Sequence, residues 1–158
     1  MHDAYGILVI EASDWDAEQL RGLLRTLSKP IRVLKSADLD EENTRVDVII
    51  LGFSDAVSLE TSRATLERAR AQSPNAQLIL CVPREIRRPR PPRAPSSKAR
   101  AFLSKPIEEA TFRALMEQTL GSIHLRRERQ EHARAIQALR PRRRNRRHEL
   151  PSSDASSS

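Results

Sequence analysis

The chain has 158 residues, enough for one domain of ordinary size and a tail. Only 3% are aromatic, so a core has to be built from Leu, Ile, Val and Ala. A single cysteine, Cys81, excludes an internal disulfide and a thiolate metal cluster. No apolar run approaches the roughly 18 residues of a membrane-spanning helix, and the first residues lack the basic region of a secretory signal. We therefore expect a soluble, cytoplasmic protein.

The net charge of +7 is distributed unevenly along the chain. Residues 1–83 carry 9 basic and 13 acidic side chains, and residues 101–120 carry 2 and 3. The excess of positive charge lies in residues 84–100, with 7 basic against 1 acidic side chain, and in residues 121–158, with 10 against 4. This pattern indicates that any polyanion or acidic partner would bind these two segments rather than the acidic remainder.

The first half of the chain predicts two strands and a helix between them. Residues 6–10 are apolar and rich in branched side chains, which is typical of a buried strand. A helix follows from the cap residue Ser13, with leucines at helical spacing, and ends before Pro30. Residues 31–34 predict the second strand, and the acidic segment 36–45 allows only a short second helix.

The second half continues the alternation. Residues 46–51 predict a third strand, 59–71 a helix, 78–82 a fourth strand, 101–103 a short fifth strand and 108–120 a last helix. Alternating helices and continuously apolar strands indicate βαβ units around a parallel sheet, an α/β fold. In such folds the functional edge lies at the carboxyl ends of the strands.

Four segments at those positions resemble motifs of the receiver domains of two-component response regulators, over about residues 5–121. They are Ile7–Ala12, Asp47–Gly52, Leu78–Pro83 and Phe102–Pro106. In that family the first strand ends in an acidic pair, the third in the phosphoacceptor aspartate, the fourth in Thr or Ser, and the fifth in a Lys-Pro pair. The resemblance implies a doubly wound, flavodoxin-like sheet of five parallel strands.

The resemblance also implies that the phosphorylation pocket is degenerate. The acidic pair is replaced by Glu11 and Ala12, the phosphoacceptor by Gly52 and the hydroxyl residue by Val82, and only Lys105 is retained. Without a nucleophile no aspartyl phosphate can form, and a single carboxylate binds Mg²⁺ poorly. We therefore predict a pseudo-receiver with no enzymatic activity, catalytic residue, cofactor or metal, in which Lys105 closes the edge by pairing with Glu11.

Two other aspartates near this edge leave alternatives open. Asp55, three residues beyond the expected site, is the only nearby substitute nucleophile, and a working phosphoreceiver that uses it is a minor hypothesis. Asp14 could replace a metal ligand, but its position after Ser13 fits a helix cap better.

The segment 84–100 departs from the family. Receiver domains place a helix between the fourth and fifth strands, but four prolines within seven residues cannot sustain an α-helix here. We predict that a Pro- and Arg-rich loop replaces the fourth helix. Its spacing suits polyproline recognition by an aromatic groove, and a solvated disordered loop is the other interpretation.

The basic C-terminal region follows the last helix. Residues 122–140 predict a charged helical extension without the sustained apolar seam of a dimeric coiled coil, and 141–158 predict a disordered Arg- and Ser-rich tail. An arginine cluster there could contact phosphates of nucleic acid or anionic lipid weakly and without specificity. It comprises Arg140, Arg142, Arg143, Arg144, Arg146 and Arg147.

These observations give two principal hypotheses for function. The first is a phosphorylation-independent receiver-like module that binds a protein partner near the fourth and fifth strands and the last helix. The resemblance places it in a bacterial two-component-type or cyclic-dinucleotide pathway. The alternative is a protein that associates with nucleic acid or an anionic surface through its basic tail, although no sequence-reading motif is present.

Overall fold

A computed structural model describes residues 4–41, 43–84 and 99–140 of the chain. Residues 85–98 of the predicted loop over 84–100, and the predicted tail over 141–158, lie outside the described residues, and the last two residues of that predicted loop belong instead to a strand. The chain divides into two compact units, Met1–Gly121 and Ser122–Ser158. No helix among the described residues is long and apolar enough to cross a membrane.

The sheet contains five parallel strands in the order β2-β1-β3-β4-β5, which confirms the predicted doubly wound α/β architecture. The elements in chain order are β1 (Tyr5–Glu11), α1 (Asp14–Arg25), β2 (Ile31–Leu34), the 3₁₀ helix η1 (Ser36–Asp40), β3 (Val48–Gly52), α2 (Ala56–Gln72), β4 (Gln77–Pro83), β5 (Ala99–Lys105) and α3 (Glu109–Leu139).

Several boundaries differ from those predicted, and local hydrogen bonds explain two of the differences. β3 begins at Val48 rather than at Val46, because the Gly6 N–H donates to the Asp47 carboxylate at 2.9 Å and not to a backbone carbonyl, although the Asp47 N–H still donates to the Gly6 carbonyl oxygen. α2 begins at Ala56 rather than at residue 59, because Asp55 caps it. β5 is longer than predicted, and α3 continues from the predicted last helix through the predicted helical extension over 122–140 as far as Leu139.

Both faces of the sheet are buried, which is why its central strands are continuously apolar. Side chains alternate between the two faces of a strand. On one face a cluster of leucines and isoleucines from β1, β3 and β4 includes Leu66 and Ala69 of α2. α1 lies against β1 and β2 and buries Leu20 and Leu24. Phe112 at the start of α3 is also buried.

The strand register brings the ends of four strands to one edge of the sheet. Glu11 at the end of β1 is paired with Gly52 at the end of β3, and Gly52 is paired in turn with Cys81 of β4. On the outer side of β4, Pro83 is paired with Lys105 at the end of β5. The carboxyl ends of four parallel strands therefore meet where the functional edge was predicted.

Candidate functional site

An ion cluster occupies the carboxyl edge of the sheet. The Lys105 Nζ donates to Glu11 Oε2 at 3.0 Å and to Asp16 Oδ2 at 3.2 Å. The Glu11 side chain is only 1% exposed, and its other oxygen accepts the Ala12 N–H at 3.1 Å. The pairing of Lys105 with Glu11 is the one expected from the sequence. Two carboxylates thus share one ammonium in a partly buried site, where hydrogen bonds between charged groups are strong.

Asp16 was not identified as a site residue from the sequence. It lies in the first turn of α1, and its N–H donates to the Ser13 hydroxyl that caps this helix. The signal that could have found it is its position in the first turn of the helix that follows β1. Acidic residues in a first turn usually act on the helix dipole, so this position alone does not indicate a bond to Lys105.

The cluster keeps Lys105 charged. Burial lowers the pKa of Lys105, but its hydrogen bond to Glu11 and the charge of Glu11 raise it, as do the bond to Asp16 and the charge of Asp16. The net effect places the pKa of Lys105 above its ordinary value. The Lys105 ammonium therefore stays protonated throughout the neutral range.

Glu11 fills the space that a side chain at position 52 would need. A Cβ built on Gly52 would lie 2.7 Å from the Glu11 Cδ and closer still to its Oε2. Real Cβ atoms do not approach other heavy atoms this closely, so any larger residue at position 52 requires Glu11 to move. Gly52 therefore serves here to admit the Glu11 carboxylate, which reaches Lys105 across it.

The other two residues of the predicted pocket lie apart from the cluster's charges. Ala12 is exposed just after β1, and Val82 is buried in β4, where it is paired with Ser104. Neither side chain has a group that could bind a phosphoryl oxygen. Of the five predicted pocket residues, the structure brings Glu11, Gly52 and Lys105 into direct proximity.

The Mg²⁺ that the resemblance implies does not fit the residues present. Glu11 and Asp16 are the two carboxylates at the edge, and each already has an oxygen bound to the Lys105 ammonium. A divalent cation would have to displace that ammonium and would find few further oxygen ligands. In the described part of the chain, no three His, Cys, Asp or Glu side chains are grouped so as to hold a metal.

Asp55 and Asp14 are placed at helix starts. Asp55 is the N-cap of α2, and its carboxylate accepts the Ser58 N–H at 2.7 Å while the Ser58 hydroxyl accepts the Asp55 N–H at 3.1 Å. The hydrogen bond from the Ser58 N–H, together with one from the Ser58 side chain, lowers the pKa of Asp55. Asp14 lies in the first turn of α1. The capping bonds give Asp55 a structural role, which weakens the hypothesis of a substitute nucleophile.

A groove of about 400 Å³ opens beside the cluster. Trp15, the only tryptophan of the chain, stands at this groove with 73% of its surface exposed. Trp15 was not singled out as a site residue from the sequence. The groove is lined by Glu11, Trp15, Asp16, Gln19, Leu20, Ser54, Pro83, Arg84, Lys105, Pro106 and Ile107.

Of the predicted tail cluster, only Arg140 falls within the described residues. It is exposed just after the end of α3, and its N–H donates to the Gln137 carbonyl oxygen at 3.3 Å. The other five arginines of the cluster lie outside the described residues.

Comparison with solved structures identifies the fold as that of CheY-like receiver domains. The signal receiver domain of an HD domain-containing protein from Pseudomonas fluorescens Pf-5 aligns over 77% of this chain and 98% of its own, with a TM-score of 0.52 and 18% identity. The CheY-like protein tadZ from Pseudomonas aeruginosa PAO1 aligns over 73% and 98%, with a TM-score of 0.52 and 14% identity.

A third similar structure is the response regulator StyR, which aligns over 86% of this chain and 69% of its own, with a TM-score of 0.57 and 19% identity. No protein-family profile matches the chain, and no curated protein matches it. At such low identity the likeness establishes the fold alone, and the chain has a receiver fold.

Proposed function

We propose that this chain is a receiver-like signalling module that works without phosphorylation and acts by binding a partner protein. It catalyses no reaction itself and works in the cytoplasm, within a bacterial two-component-type or cyclic-dinucleotide pathway. The similar structures are receiver domains, a class of signalling domain, which supports the general role. The more specific claim of phosphorylation independence depends on the carboxyl edge of the sheet.

The observation that carries the proposal is the position of the Glu11 carboxylate. It lies over Gly52, where the family has its phosphoacceptor, and it is bonded to Lys105, the residue that in the family neutralises the phosphoryl group. A phosphodonor would meet a carboxylate that is buried and already paired. Phosphoryl transfer depends on a positioned nucleophile and on cations that stabilise the developing charge, and here Lys105 is committed to Glu11 and Asp16.

The ion cluster also supports a constitutive state. A receiver changes its surface when a phosphoryl group alters the hydrogen bonds at this edge. In this chain the Lys105 ammonium already donates to Glu11 and to Asp16, which favours a single arrangement of this edge. A module of this kind would be regulated by the amount of the protein or of its partner, and not by covalent modification of the pocket.

The test is intact-protein mass spectrometry after incubation with a small phosphodonor and Mg²⁺. We expect the wild-type chain to gain no phosphoryl group, while an active receiver domain treated in parallel does. A phosphoryl group on the wild-type chain would refute the proposal. If that group were then lost in Asp55→Asn, the substitute-nucleophile hypothesis would take its place.

A further inference from the structure

The part of α3 that belongs to the second compact unit, Ser122–Ser158, carries an exposed apolar stripe. Leu125, Ile136 and Leu139, on the C-terminal part of α3, are 55%, 43% and 83% exposed. They are half of the six exposed large hydrophobic side chains in the described part of the chain. At 3.6 residues per turn, they share with Arg129 and His132 a sector about 80° wide. These five positions alternate in spacing between four and three residues, as in the seam between two packed helices.

This part of the helix is also basic. Residues 122–140 contain five arginines and two glutamates. Glu128 is paired with His124 at 3.0 Å. Within the described part of the chain, neither Arg129 nor Arg134 forms an ion pair. Arg129 lies inside the apolar stripe, whereas Arg134, five residues further on, lies about 140° away from it around the helix. The charge inside the stripe is therefore positive and unmatched.

A second copy of the chain would be a poor occupant of this stripe. Self-pairing would bring a positively charged helix against another, with Arg129 inside the seam, and like charges in a helix pair are destabilising. A membrane surface is also a poor match. Helices that lie in a bilayer surface usually present a broad apolar face with Trp or Phe, and residues 122–140 contain neither.

We propose that the stripe of Leu125, Arg129, His132, Ile136 and Leu139 docks an acidic amphipathic helix of a partner protein. The partner would supply apolar seam residues for Leu125, Ile136 and Leu139 and a carboxylate facing Arg129. Because an arginine and a carboxylate that meet in a partly desolvated seam attract strongly, this pair would select the acidic partner and its register. The inference rests on the protein-binding part of the proposed function and assigns it a surface and a partner chemistry.

The test uses the full-length chain and a labelled synthetic helix. The probe is a three-heptad peptide with leucine in its seam, glutamate at the seam position that faces Arg129, and glutamate on its flanks. Its control is the same peptide with lysine for every glutamate. Binding is measured by fluorescence anisotropy near physiological ionic strength, where exposed charges about 8 Å apart or more are largely screened.

Two pairs of matched variants separate docking from general electrostatic attraction. Arg129→Glu and Arg134→Glu change the charge equally, one inside the stripe and one outside it. Ile136→Gln with Leu139→Gln removes two of the three apolar side chains of the stripe. Its control, Ala135→Gln with Ala138→Gln, adds the same polar groups elsewhere on the helix. We expect about a tenfold or greater loss of affinity for the acidic peptide in the two stripe variants, which is about 1.4 kcal/mol or more. For the two control variants we expect an affinity within about threefold of the wild-type value.

Several outcomes would overturn the inference. Equal losses of peptide affinity in Arg129→Glu and Arg134→Glu would show general attraction between a basic helix and an acidic peptide. Binding to phosphatidylglycerol vesicles that exceeds binding to the peptide would identify a lipid surface as the occupant. No peptide binding, or binding that survives loss of the stripe, would equally refute it. The phosphorylation test is separate, because a wild-type chain that gains a phosphoryl group refutes the proposed function without affecting these affinities.

Discussion

The substitution Gly52→Ala tests the central feature of the site, the Glu11 carboxylate that lies over this glycine. The added Cβ would overlap Glu11 Oε2, so the carboxylate has to swing away. It would then lose its 3.0 Å bond to Lys105 and its 3.1 Å bond to the Ala12 N–H. Asp16 remains bound to Lys105 at 3.2 Å, so the ammonium keeps one partner.

The magnitude follows from two opposing contributions. Hydrogen bonds are lost, and alanine loses less backbone entropy on folding than glycine does. A hydrogen bond between charged groups contributes about 1.5–3 kcal/mol. Alanine in place of glycine in a strand stabilises the folded state by about 0.5–1 kcal/mol. We therefore expect Gly52→Ala to lower the free energy of unfolding by about 1–2 kcal/mol. Urea unfolding followed by far-UV circular dichroism measures this change, with the m-value checked for constancy.

A matched control and a double-mutant cycle make the result specific. Gly22 lies in α1 with nothing within 4 Å of a Cβ built on it, so Gly22→Ala should stabilise the fold by about 0.5–1 kcal/mol through helix propensity. In a Glu11→Ala background the obstacle is gone, so Gly52→Ala should no longer destabilise. If Gly52→Ala costs as much with Ala at position 11 as with Glu, the assignment of Gly52 to the Glu11 carboxylate is wrong.

Four further predictions concern position 52, Cys81, Lys105 and the basic C-terminal region. Gly52→Asp alone should gain no phosphoryl group from a small phosphodonor and Mg²⁺, because the metal lacks carboxylate ligands. Adding Ala12→Asp supplies a further carboxylate and should give measurable uptake, and uptake by the single variant, read by intact mass, would contradict the metal argument. Burial raises the pKa of Cys81 to about 12, so its thiol should resist Ellman's reagent at pH 8 in the native chain and react on unfolding; rapid native reaction would contradict its burial. The raised pKa of Lys105 means that its ion pairs stabilise the fold fully below the ordinary value of 10.5 and that this stabilisation is lost as pH rises through the folded pKa. Lys105→Met should therefore lower the free energy of unfolding at pH 7, and its difference from wild type should shrink above pH 10.5; a constant difference would exclude the ion pairs as its cause. DNA binding should fall steeply with salt and should be absent from a chain ending at Gly121, and equal binding by that shortened chain would rule out the basic C-terminal region as its source.

Most of the fold was determined by local features of the sequence. Continuous apolar runs specified the buried strands, because a strand covered on both faces has no need of polar positions. Ser13 and Pro30 marked the start and the end of the first helix through capping and backbone restriction. The order of the strand-end motifs also predicted that Glu11 and Lys105 would meet, since parallel strands end at a common edge.

Only the tertiary structure decided which charged side chains at that edge pair with each other. Whether Asp16 faces the solvent, the helix dipole or Lys105 depends on the rotation of α1 against the sheet, which is set by the packing of Leu20 and Leu24 many residues away from β5. The role of Gly52 likewise depends on the rotamer of Glu11 on a neighbouring strand. Sequence patterns encode which face of an element is buried. Contacts between side chains distant in sequence arise from packing, so neither the Asp16 bond nor the space over Gly52 could be predicted from the sequence.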